Sequence, residues 1–223
     1  MVTRVRYSAE NFLLHGGAAP LWESCRAVFV RDAFGIAFIR GAKRSGKTHF
    51  SIFLVDALTK LARFPRLLEG GEMPGFLESW GPSDFSSEDV IIVDNAESYL
   101  RTLRPGDSGP FTAFVEKLRV ARAGLILLSG EPIEAFGCDE HVRSRLIPGN
   151  GFELRPPEES DMPALINTMA KQRGILLKER KIGFVVRRLG RDIGAIERYF
   201  DRVQHLADVL GQSVKFPVLG DAL

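Results

Sequence analysis

The sequence predicts an α/β fold, with a parallel-sheet phosphate-binding domain followed by a small helical domain. Three observations carry this. Residues 41–48 read Gly-Ala-Lys-Arg-Ser-Gly-Lys-Thr, which fits the phosphate-loop pattern G-x-x-x-x-G-K-[ST]. Two apolar runs, Asp89–Asp94 and Gly124–Ser129, have the length of strands buried on both faces. Beyond Pro156-Pro157 the strand signals stop and only helical periods continue.

The elements follow in order. Residues 1–20 read as extended or irregular. Residues 21–31 have the period of a helix, with Leu21, Trp22, Cys25, Val28 and Phe29 on one face. Residues 34–40 form a short apolar strand into the glycine loop. After it Phe50, Phe53, Leu54, Leu58 and Leu61 recur at helical spacing, and Pro65 marks a stop. Residues 65–88 are rich in Gly, Pro, Ser and acid; they read as loop, with a short strand at 66–68 and a short helix near 76–80. The run 89–94 is a buried strand ending in an acid. Residues 103–110 are turn-rich, 111–123 are helical with Phe111, Phe114, Val115 and Leu118 inward, and 124–129 are a second buried strand. Alternating strands and helices argue a parallel sheet. The tail reads as helices at about 158–173, 178–189 and 191–210, then a strand-turn or short docking helix. The expected division is 1–155 for the nucleotide-binding domain and 156–223 for a helical lid.

Composition sets limits. The chain has 223 residues, 30 basic and 28 acidic, for a net charge of +2. That near balance gives no whole-chain argument for nucleic acid. Cys25 and Cys138 are far apart, have no metal-ligand spacing and read as buried small apolar residues. His15, His49, His141 and His205 show no zinc spacing. The N-terminus lacks an apolar export region and no apolar run is long enough to span a bilayer, so a soluble, cytoplasmic protein with no membrane partner is expected.

The glycine loop carries the chemistry. Gly41 and Gly46 let Ala42, Lys43, Arg44 and Ser45 curl so that backbone N–H groups converge on an anion. Lys47 reaches the terminal phosphates, Thr48 offers a hydroxyl to Mg²⁺, and His49 continues a helix whose N-terminus favours negative charge. Asp94, at the end of its strand, is placed to hold the metal with Thr48. The following residue is Asn95. An amide orients water but cannot take its proton. Glu97, two residues on, is the alternative carboxylate. Nucleotide binding is therefore better supported than turnover.

Together, Tyr7-Ser-Ala-Glu-Asn-Phe12, the loop ending Gly-Lys-Thr-His49, Ile91-Ile-Val-Asp-Asn95, Leu127-Leu-Ser-Gly-Glu-Pro132, Val142-Arg-Ser-Arg-Leu146 and the tail through Glu197 resemble the DnaA/Hda group of AAA+ proteins. The resemblance implies a P-loop AAA+ parallel-sheet sandwich with a helical lid, binding ADP or ATP with Mg²⁺ between the two parts. It implies that Ser129 and Glu131 contact the γ-phosphate or its water. It makes Arg145, with Arg143 as second candidate, the arginine finger acting on a neighbour's nucleotide. It sets Tyr7, Asn11, Phe12 and Leu13 as the adenine wall. The implied partner is a DnaA-type initiator or a second copy, and the implied setting is regulation of replication initiation.

Departures matter too. Gly194 stands where the family has its sensor-2 arginine, with Arg191 one turn away. The Asp94-Asn95 pair is closer to the Hda branch. Residues 1–8 carry no Gln-Leu-rich sliding-clamp peptide, and the expectation is that a chain ending at Leu223 has no origin-reading helix-turn-helix domain. Two other readings stand: an autonomous oligomeric ATPase, and a DNA-binding adaptor using Arg187, Arg188 and Arg191 among a basic tail that includes Arg173, Lys178, Arg180, Lys181, Arg198 and Arg202.

Overall fold

The computed structural model describes residues 7–30, 33–79, 85–106, 108–146, 151–190, 192–211 and 214–223. The chain divides into two compact units. One is Ala19–Arg155; the other joins residues 7–18 to Pro156–Leu223.

The first unit runs α1 (Ala19–Phe29), β1 (Gly35–Arg40), α2 (Lys47–Thr59), β2 (Phe64–Glu69), α3 (Met73–Ser79), β3 (Asp89–Asp94), α4 (Glu97–Leu100), α5 (Gly109–Ala121), β4 (Gly124–Ser129), α6 (Glu140–Leu146) and β5 (Gly151–Glu153). Among the described residues the five strands form one parallel sheet in the order β2-β3-β4-β1-β5. The β3 and β4 runs are buried along their whole length, as continuous apolar segments require between two helical layers. One face packs Ile91, Val93, Leu125 and Leu127 against Phe111, Phe114 and Leu118 of α5. By the period of two, Ile92, Ile126 and Leu128 point the other way and are equally buried. Phe50, Leu54 and Leu58 form the buried stripe of α2. Full burial of each such side chain contributes about 2–3 kcal/mol. Cys25 is buried in α1, and burial pushes its thiol up to about 12, so it behaves as the apolar residue the sequence suggested.

The structure differs from the sequence reading around Pro65. α2 ends at Thr59, leaving Leu61 in the following turn, and a six-residue strand starts at Phe64. Pro65 is tolerated there because β2 is an edge strand, paired only with β3, so one side needs no N–H ladder. Its mixed exposure hides the apolar run that marks the central strands. β5, α4 and α6, at three, four and seven residues, are too short for periodicity in the sequence to show.

The second unit contains α7 (Met162–Lys171), α8 (Glu179–Val186), α9 (Ile193–Leu210) and α10 (Phe216–Asp221). Its core gathers Leu165, Ile166, Met169, Ile196, Tyr199, Phe200 and Val203, with Leu219 of α10. Asp192 caps α9 by accepting from the Gly194 N–H at 2.9 Å. The expected first domain ran over 1–155, but residues 7–18 pack with these helices. Gln172 Nε2 donates to the Asn11 carbonyl at 3.0 Å, and Leu13 lies against the helical core. The tail after 215 is a short helix.

Candidate functional site

Parallel strands bring their carboxyl ends to one edge of the sheet, where loops after β1, β3 and β4 meet. Register aligns Arg40 with Ser129 and Val93 with Leu127. Two backbone bonds lock the loops across strands: Gly41 N–H to Ser129 O at 3.0 Å, and Ala96 N–H to Leu128 O at 2.8 Å.

The loop between β1 and α2 is a backbone concavity. Arg44 has φ 66 and Gly46 has φ 91, both left-handed, on either side of the buried Ser45. Such alternation turns successive N–H groups inward. Gly46 caps α2, which begins at Lys47. Lys47 Nζ donates to the Gly41 carbonyl at 2.9 Å and the Ala42 carbonyl at 3.2 Å, so the ammonium is folded over the loop. Ser45 Oγ is buried without a hydrogen-bond partner. A buried, unsatisfied hydroxyl in an N–H-lined loop fits a phosphate oxygen.

The opposite wall is acidic. Asp94 is buried at the end of β3, and Glu69 stands beside it at the end of β2, in register. Asn95 adopts φ 53, and its Nδ2 donates to Glu69 Oε1 at 2.7 Å. Glu97 heads α4, and its Oε2 is buried with no partner. A Cβ on Gly130 would stand 2.9 Å from Glu97 Oε1 and 3.7 Å from Lys47 Nζ, so the missing side chain at Gly130 makes room for that carboxylate beside the lysine. Ser129 Oγ donates to the Glu131 carbonyl at 2.9 Å and accepts from the Glu131 N–H at 3.0 Å. The Glu131 carboxylate is bound by Arg101, whose Nε donates at 3.3 Å.

A cleft of about 500 Å³ results, with Lys43, Arg44, Lys47 and Thr48 on one side and Glu69, Asp94, Asn95, Glu97, Gly130 and Glu131 on the other. Cations with loop N–H groups suit a polyphosphate. The carboxylates with the Thr48 hydroxyl suit a hard cation shared with it. Among the described residues no group of three or more His, Cys, Asp or Glu forms a metal cluster.

The other expected residues lie elsewhere. His49 is half-buried on α2, outside the cleft lining. Arg145 is on α6, where its Nε donates to Glu116 Oε1 at 3.0 Å. Hydrogen bonds from Arg119 and then Arg145 hold the Glu116 carboxyl below its usual range. Arg143 Nη2 donates to the Phe136 carbonyl at 3.1 Å. Asn11 and Phe12 belong to the helical unit; Asn11 Oδ1 accepts from Ser8 N–H at 2.9 Å and the Phe12 ring lies 6.3 Å from His15. Gly194 is buried in the first turn of α9, and Arg191 falls outside the described residues. Sequence reasoning missed Glu69 and Gly130. Glu69 was findable only by reading 64–69 as a strand whose last residue aligns with Asp94.

No family model matches the chain. Its sequence is 25% identical over 140 residues to the chromosomal replication initiator protein DnaA of Psychromonas ingrahamii, covering 62% of this chain and 30% of that protein. It is 24% identical over 240 residues to DnaA of Thermus thermophilus, covering 98% of this chain and 52% of that protein. The chain thus spans about half the length, or less, of these curated relatives. Among solved structures, domain III of Thermotoga maritima DnaA superposes with a TM-score of 0.75 at 15% identity, over 99% of this chain and 98% of that one. AMPPCP-bound DnaA from Aquifex aeolicus gives 0.69 at 17% identity, over 94% and 68%. The RuvB Holliday junction branch migration motor of Thermotoga maritima gives 0.65 at 15% identity, over 98% and 71%. The fold is that of AAA+ proteins, and the chain is DnaA-like.

Proposed function

We propose that this DnaA-like AAA+ protein binds ADP or ATP with Mg²⁺ in the cleft over β1, β3 and β4, and that it regulates replication initiation. One observation carries the binding reading: the left-handed pair Arg44 and Gly46, flanking a buried, unpartnered Ser45 hydroxyl at the head of α2. Lys47 exchanges its loop carbonyls for phosphate oxygens. Thr48 and Asp94 hold the cation. Asn11 and Phe12 wall the adenine. Arg145 leaves Glu116 to reach the nucleotide of a neighbouring AAA+ subunit, either a DnaA-type initiator or a second copy. Turnover in the protein's own site is slow, because the Asn95 amide is committed to Glu69 and Gly194 brings no cation. The sequence pair Asp94-Asn95 favours the Hda branch within this family.

The test is to identify the nucleotide released from purified protein and to measure ADP and ATP affinity with Mg²⁺. Lys47→Ala removes charge-assisted bonds and is expected to weaken binding by about 10–150-fold. No binding of either nucleotide by the unaltered chain overturns the reading. Arg145→Ala is expected to keep this affinity and lose stimulation of a partner's ATPase; normal stimulation removes the finger assignment.

A second reading, an autonomous ATPase, is favoured by Glu97, whose Oε2 is buried and unpartnered and whose Oε1 faces the space at Gly130 near Lys47, a carboxylate that Asn95 lacks. Steady turnover by the purified chain, lost in Glu97→Gln and kept in Asn95→Ala, selects it.

A further inference from the structure

The phosphate loop holds a side chain that its turn does not need. Among the described residues four non-glycine positions are left-handed: Arg44, Ala62, Asn95 and Arg122. Arg122 caps the end of α5 and Ala62 turns the chain after α2, where that conformation is ordinary. Asn95 is of a type that tolerates it. Arg44, at φ 66, has neither reason. It precedes a helix, and a glycine would make the same turn without strain. A strained position inside a binding loop points to the work of its side chain.

Arg44 is exposed, lines the cleft and adjoins the buried Ser45 hydroxyl. The facing wall is acidic, with Glu69, Asp94, Glu97 and Glu131. The Cβ position of Gly130 is 2.9 Å from Glu97 Oε1 and 3.7 Å from Lys47 Nζ, so this carboxylate offsets much of the lysine's charge. The loop N–H groups, Ser45 and Lys47 suit the two phosphates of a diphosphate. A third phosphate adds negative charge opposite that wall and requires a further cation. The cleft lining offers Lys43 and Arg44. They differ in kind: a guanidinium fork takes two phosphate oxygens at once, whereas an ammonium is a point charge. Of the two, only Arg44 is held left-handed.

We infer that the Arg44 guanidinium binds the third phosphate of a nucleoside triphosphate and is the group that tells ATP from ADP in this cleft. The arginine is supplied by the chain's own loop, separately from any arginine reaching in from a neighbour. The inference rests on the nucleotide reading of the cleft and adds its specificity-determining residue. A merely solvated loop cation attracts both nucleotides alike and has no use for the strained backbone.

The experiment is titration calorimetry with the full chain and Mg²⁺, comparing ADP with a non-hydrolysable ATP analogue. Arg44→Gly is expected to weaken the analogue about 10–150-fold, as loss of charge-assisted bonds does, and ADP by no more than about fivefold, the reach of a solvated charge. The same variant relieves the left-handed strain, so without nucleotide it should melt no lower than the unaltered chain and up to about 4 °C higher. Arg44→Lys keeps the charge and loses the fork, and should fall between. Lys43→Ala should weaken both nucleotides alike. The inference is overturned if Arg44→Gly weakens both nucleotides equally or neither, if it melts lower, or if Lys43→Ala reproduces the selective loss. Binding by the unaltered chain that Lys47→Ala weakens and Arg44→Gly leaves alone removes this inference and keeps the nucleotide reading. No binding of either nucleotide by the unaltered chain overturns both.

Discussion

Replacing Glu97 by Gln removes one charge from the nucleotide cleft and keeps the side chain's shape. Glu97 Oε1 and Lys47 Nζ lie 2.9 Å and 3.7 Å from one common point, the Cβ position of Gly130, so they are at most about 6.6 Å apart. A phosphate held by Lys47 then meets the Glu97 charge at about 5–8 Å, where two unit charges at an effective dielectric of ~20 repel by about 2–3 kcal/mol. The cleft is open and salt screens part of this. The expected gain in binding is about 1–2 kcal/mol, which is roughly five- to thirtyfold tighter ADP and ATP. If Glu97 also takes the proton of the attacking water, single-turnover hydrolysis falls about 10²–10⁴-fold in the same variant. Titration calorimetry at low salt reads the first effect and quenched single-turnover assays the second. The two are independent: tighter binding with unchanged turnover makes Glu97 a charge facing phosphate and nothing more. Affinity unchanged or weakened in Glu97→Gln refutes the geometry itself, because it means the carboxylate does not face the phosphates.

Three further outcomes follow from other parts of the molecule. Gly46→Ala places a Cβ where nothing lies within 4 Å, so its cost is the left-handed backbone alone; the loop holds φ 91 before any nucleotide arrives, so the protein without nucleotide should lose about 1–2 kcal/mol of stability in denaturant titration. Tyr199→Phe deletes the buried hydroxyl that donates to the Leu219 carbonyl at 3.0 Å and should destabilise the helical unit by about 1–2 kcal/mol in denaturant titration. Burial lowers the His15 pKa below its ordinary 6.5, with Asp161 pulling the other way, so the folded state prefers the neutral ring. The unfolded chain takes up that proton first; stability is full above about pH 6.5 and is lost as pH falls below it, and His15→Gln should flatten that slope.

The central fold was legible because its signals are local. The β3 and β4 runs are apolar from end to end since helices cover both faces, and the glycine loop is defined by spacing alone. The edges were not legible. β2 has one free side, which admits Pro65 and mixes exposed with covered positions, so neither composition nor period marks it. The grouping of residues 7–18 with the helical unit was equally invisible, because it rests on long-range contacts such as Gln172 with the Asn11 carbonyl. In the candidate site, the phosphate loop and Asp94 could be read from pattern. Glu69 could not, because it enters through sheet register, and Gly130 could not, because its contribution is the space it leaves.

The acid wall shows why adjacency in sequence misleads about chemistry. Read along the chain, Asn95 follows Asp94, the aspartate proposed to hold the metal, and is the residue to judge for turnover. In space the backbone turns left-handed at Asn95, a conformation an asparagine tolerates better than most side chains. That turn swings its amide out to Glu69, across to the end of β2. It also sets Ala96 onto the Leu128 carbonyl, and from there α4 begins with Glu97 pointing back beside Lys47. Asn95 therefore acts on the site through the turn it makes, and Glu97 occupies the space where charge matters. Loss of the Asn95 amide should loosen the β2–β3 edge and shift binding modestly. Loss of the Glu97 charge should change what the cleft does with the phosphates once they are bound.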